Sequence, residues 1–168
     1  MSEEKNTFWA FSLSFYAEPA VQNACIRLQE SIKADVNILL FLLYQASQGK
    51  QITASSIHLL DESVKHWRED VIQAIRHIRR ILKHTDYHLG DDIQATFRKK
   101  LMSVELDAEK LEQEKLESLA LSLLPTTISQ AVKANLQQYA NTLGSDDNHP
   151  DFVILLEHFM STIRLPKE

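Results

Sequence analysis

Every glycine and every proline in this chain falls between stretches of apolar periodicity, and none falls inside one. Gly and Pro cost about 1 and 3 kcal/mol in a helix interior relative to alanine. Confining Pro19, Gly49, Gly90, Pro125, Gly144, Pro150 and Pro166 to junctions therefore reserves the stretches between them for helix. Three glycines and four prolines in 168 residues also leave few of the tight turns from which sheet proteins are built. The pattern predicts an all-α fold, a compact single-domain helical bundle of about seven or eight helices with no sheet.

The individual helices follow from spacing. Residues 7–16 carry Phe8, Trp9, Phe11, Phe15 and Tyr16 and must dock on an apolar surface. Pro19 suits a first helical position, and Val21, Cys25, Leu28 and Ile32 then mark one face of a helix to about residue 31. Asp35 can cap the next helix, whose run from Ile38 to Tyr44 is apolar on every side until Gly49. A helix of that kind belongs in the middle, so the central element is placed near residues 35–48. A short helix is expected from Thr53 or Ser55 through Leu60, and a longer one over 61–84 with Val64, Trp67, Val71, Ile75, Ile78 and Leu82 on one stripe. The unbroken stretch 91–124 predicts one long helix, or two joined by a bend near 112–115, stopped by Pro125. Two further helices are read before Gly144 and after Pro150, separated by a loop at 145–149.

Length and 44% hydrophobic content suit one domain with its own core. We read residues 1–6 as a disordered, polar N-terminus without the marks of a signal peptide, and 7–165 as the domain, divided into an N-terminal half at 7–88 and C-terminal helices at 91–165. The longest apolar run falls far short of the ~20 residues of a membrane span. A single cysteine, Cys25, excludes an internal disulfide and a cysteine-based zinc site, and it fits a reducing cytoplasm. The net charge of −5 argues against bulk attraction to nucleic acid or an anionic membrane, so nucleic acid is only weakly supported as a partner.

Local charge is more informative. At ~100° per residue, Lys65, Arg68, Arg76, Arg79, Arg80 and Lys83 fall on one flank of the 61–84 helix. Such a row could read an acidic partner surface or a phosphate-bearing ligand, because the planar guanidinium matches carboxylate and phosphate. Within the fold, the same row could pair with the acids of 105–117, where Glu105, Glu109 and Glu112 line one flank of their own helix. His58, Glu62 and His66 share a helix face, and His84, Asp86 and His88 alternate through a loop, but neither set has the spacing of a metal motif, and no metal or cofactor is expected. Asp35 and Asn37 precede the greasiest helix. They suit capping, or else a small polar pocket with Trp9 and Trp67. Cys25 faces the core and reads as a small hydrophobe. No nucleophile elbow, Walker loop or dinucleotide fingerprint is present.

Phe8-Trp9, Tyr16, Pro19-Ala20-Val21, Ala24-Cys25, Leu28-Gln29-Glu30, the run from Asp35 to Phe41, Trp67-Arg68, Val71, Ile75-Arg76, Ile78-Arg79-Arg80 and Lys83 resemble, in order and spacing, a bacterial family designated domain of unknown function 2390. The resemblance covers about residues 7–83. It implies a small cytoplasmic helical protein and brings no activity, cofactor or catalytic residue. Together these readings favour a non-enzymatic binding or regulatory module presenting Arg68, Arg76, Arg79, Arg80 and Lys83 to an acidic protein or phosphate-bearing ligand. The alternative is an enzyme or small-molecule sensor with a pocket near Trp9, Asp35, Asn37 and Trp67.

Overall fold

The computed structural model describes residues 7–163; the stretch 1–6 and Pro166 lie outside the described residues. The chain is all-α, with helices α1 (Phe8–Tyr16), α2 (Pro19–Ile32), α3 (Val36–Ser47), α4 (Ala54–Trp67), α5 (Gln73–His84), α6 (Asp91–Glu117), α7 (Ile128–Thr142) and α8 (Pro150–Thr162). A single wide π-turn, Arg68–Ile72, joins α4 to α5 without a break. Within the stretch expected to form one domain, the described residues gather into two compact units: Glu62–Ser118, and the chain on either side of it.

The flanking unit is built around α3. Ile38, Leu39, Leu40, Phe41, Leu42 and Leu43 are all buried, as a helix apolar on every side requires. Asp35 caps it, its Oδ1 accepting the backbone N–H groups of Asn37 at 2.8 Å and Ile38 at 3.2 Å. The buried hydroxyl of Tyr139 on α7 accepts the Asp35 N–H at 2.9 Å, tying this cap to the neighbouring helix. The aromatic α1 docks on α3 as its composition demands, with the Phe8 and Phe41 rings edge-on at 5.2 Å. Helix α8 contributes buried Phe152, Leu155 and Phe159, and Asp151 in its first turn holds Arg27 of α2 at 2.6 Å.

The expectation of no sheet is corrected by a two-stranded antiparallel ribbon, β1 (Lys50–Ile52) with β2 (Leu123–Pro125). Asn135 of α7, fully buried, fastens β1: its Oδ1 accepts the Ile52 N–H at 2.8 Å, while its Nδ2 donates to the carbonyls of Leu42 and Lys50, each at 3.1 Å. Gly49 lets the strands meet. Its φ is 69°, and a Cβ there would stand 2.7 Å from the Thr126 carbonyl oxygen.

Two helix expectations also change. The break expected between Leu60 and Asp61 is absent, α4 running over Ala54–Trp67 and leading through the π-turn into α5. The helix read as 91–124 ends at Glu117, because Ser122 is drawn into extended pairing: its N–H donates to Ser56 Oγ at 2.9 Å and its carbonyl accepts the Thr53 N–H at 3.3 Å. Those long-range bonds override the helix preference of Leu119 and Ala120.

In the unit Glu62–Ser118, α5 and α6 form an antiparallel hairpin. Its polar partners run in opposite directions along the two helices, from Trp67 with Ala108 at one end to Leu82 with Gln94 at the other.

Candidate functional site

The basic residues singled out by sequence sit on this hairpin, and the π-turn decides how. The Gln73 N–H reaches back five residues to the Arg68 carbonyl, so the turn holds an extra residue and rotates what precedes it by roughly 100° relative to an unbroken α-helix. In consequence Ile72, not Val71, is the buried residue at this level, and the cations divide by what they meet rather than lining one open flank.

Arg76 and Arg79 turn toward α6. Arg76 donates through Nε to Glu105 Oε1 at 2.9 Å and through Nη2 to Glu109 Oε1 at 3.0 Å. Arg79 donates through Nε to Glu105 Oε2 at 2.5 Å and through Nη2 to Glu105 Oε1 at 3.3 Å. Burial opposes the charge of Glu105, but hydrogen bonds from Arg79 and Arg76 outweigh it and hold the carboxyl below its ordinary pKa. The same bond from Glu105 raises the pKa of Arg79. Arg68 and Arg80 have interactions of their own. Lys83 is exposed at the last turn of α5.

Lys83 borders a cleft of about 320 Å³ where α5 passes into α6, lined also by Leu82, His84, Thr85, Asp86, Asp91, Gln94, Ala95 and Arg98. Gln94 frames it, its Nε2 donating to the carbonyls of Leu82 at 2.8 Å and Thr85 at 2.7 Å while its Oε1 accepts the Tyr87 N–H at 3.2 Å. These bonds satisfy carbonyls that the end of α5 leaves open. Asp86 is turned to its own loop, with Oδ1 accepting the His88 N–H at 2.8 Å and Oδ2 at 3.3 Å from His88 Nδ1. The Nε of Arg98 is buried and has no hydrogen-bond partner among the described residues. Sequence reading missed Arg98 and Gln94; an arginine seven residues into a helix that follows a basic helix end was the available signal.

The alternative quartet is divided. Asp35 and Asn37 are buried at the start of α3, where the Asp35 carboxylate serves as a cap, and Trp9 lies on α1 of the same unit. Trp67 belongs to the other unit, where its indole N–H donates to the Ala108 carbonyl at 2.9 Å. Cys25 is fully buried, which together with the nearby Asp151 pushes its thiol up to about 12 and removes it as a nucleophile near neutral pH. Among the described residues no three His, Cys, Asp or Glu side chains converge as metal ligands, and no helix is long and apolar enough to cross a membrane.

The helices and the short ribbon define an all-α protein. The chain belongs to the family described as "Protein of unknown function (DUF2390)", whose model matches residues 7–116. The match extends through most of α6, well past the stretch 7–83 on which the likeness was read. No curated protein and no solved structure matches the chain.

Proposed function

We propose that this chain is a non-enzymatic binding module of the bacterial cytoplasm that takes an anionic group, the carboxylate of an acidic protein or the phosphate of a ligand, in the cleft between Lys83 and Arg98. The reading rests on one observation: Arg98, whose Nε is buried without a hydrogen-bond partner among the described residues, lines the same cleft as Lys83. An oxyanion in the cleft stands between two charged side chains, and its charge-assisted hydrogen bonds to a guanidinium and an ammonium are stronger than neutral ones. Arg76 and Arg79 contribute indirectly, since Glu105 and Glu109 hold them and leave the anion-binding role to the end of the hairpin. The lone buried Cys25 accords with a reducing compartment.

Titration of the isotope-labelled protein with inorganic phosphate and with an oligoglutamate peptide tests this reading. Amide shifts should cluster at residues 82–98 and vanish in Arg98→Ala, with a partial loss in Lys83→Ala. Binding that survives both substitutions, or shifts centred elsewhere, would refute it.

A further inference from the structure

We infer that α6 is the contact face of an antiparallel homodimer in which two α5–α6 hairpins, one from each copy, close a four-helix bundle. Ile78 on α5 and Ile93, Phe97, Val104 and Leu111 on α6 are 47 to 65% exposed. The four on α6 recur at intervals of four, seven and seven residues, so they share about 40° of helix circumference. This stripe lies beside the row through Gln94, Leu101, Glu105 and Ala108, which faces α5, and on the side away from Glu109 and the arginine pairs. Ile78 likewise sits on the side of α5 away from Arg76 and Arg79. Two helices alone cannot cover an apolar side of this kind, whereas two hairpins packed face to face can.

Charge specifies a second copy and its direction. Lys100 and Asp107 are exposed along the edge of the stripe. A two-fold axis at Val104 brings Phe97 of one copy against Leu111 of the other and sets Lys100 beside Asp107, twice by symmetry. A parallel pair would instead oppose Lys100 to Lys100 and Asp107 to Asp107. The mixed rim, with Asp107 and Glu114 beside Lys100, is unsuited to an anionic lipid surface, which needs a basic border. Half the surface of five large side chains from each copy amounts to roughly 1,000 Å² in all, and the flanking charged side chains bring it into the ~1,200–2,000 Å² range of stable interfaces.

Sedimentation equilibrium of the full chain tests the inference. Wild type should be a dimer at micromolar concentration, and Val104→Glu, which opposes two carboxylates on the axis, should be a monomer with unchanged far-ultraviolet circular dichroism. Lys100→Asp should weaken the dimer about tenfold or more, and adding Asp107→Lys should restore it. The paired reversal changes only exposed residues, so it remains informative even if Val104→Glu fails to fold. A monomeric wild type would overturn the inference, whether its stripe stays free, takes up an amphipathic peptide or binds vesicles. A dimer that survives Val104→Glu, or a reversal that does not restore association, would overturn it equally.

Discussion

Glu105 receives Arg79 through both of its carboxylate oxygens, Oε2 from Nε at 2.5 Å and Oε1 from Nη2 at 3.3 Å, and Arg76 adds a third bond at 2.9 Å. Two guanidinium groups on one buried carboxylate make the centre of the hairpin sensitive to protonation.

Because the native pKa of Glu105 is lowered, its contribution to stability is complete above the unfolded carboxyl value of ~4.3 and is lost as pH falls through the lower native value. Urea denaturation of Glu105→Gln at pH 7 should show a loss of about 1–3 kcal/mol, since both arginines retain some access to water. The gap between variant and wild type should hold constant above pH ~5 and shrink in more acid solution. A gap that widens on acidification would contradict the pairing.

Replacing Asn135 by leucine keeps the branching at Cγ but adds bulk at a fully buried position and removes three hydrogen bonds, leaving the Ile52 N–H and the carbonyls of Leu42 and Lys50 to find other partners. We expect a loss of about 2–4 kcal/mol in chemical denaturation, with faster amide exchange at residues 50–52. An unchanged midpoint would mean that the ribbon stands without this side chain.

Leu40→Ala opens a cavity in a helix that is buried on all sides. The expected cost is about 2–5 kcal/mol with an unchanged denaturant slope. A loss below about 1 kcal/mol would place α3 outside the core.

The helices were legible because their signals are local. Thr7, Asp35 and Thr127 each cap the helix that follows through a side-chain bond, and Gly49, Gly90 and Gly144 all take positive φ at junctions. The ribbon was not legible: each strand has three residues, too few for a period-two pattern, and its partners lie more than seventy residues apart. The π-turn escaped for a different reason, since projection at a constant 100° per residue cannot register an extra residue within a turn. That one step puts Ile72 rather than Val71 at the buried position. The pairing of Glu105 and Glu109 with the basic helix was readable as one of two fates, and the structure selects it for Arg76 and Arg79. Arg98 stayed hidden because only tertiary packing distinguishes a buried guanidinium from a solvated one.

The span that matches the family stops at residue 116, whereas α7, which supplies Tyr139 to the Asp35 cap and Asn135 to the ribbon, begins at residue 128. The segment that carries the resemblance therefore lacks two of the side chains that anchor the α3 core. During synthesis α3 follows α1 out of the ribosome but precedes α7, so the part of its apolar surface that α7 covers must wait for about eighty further residues, some four seconds or more at up to ~20 residues per second. A chain cut at the family boundary would lack α7 and leave that side of α3 open to water, a surface suited to chaperone capture and aggregation.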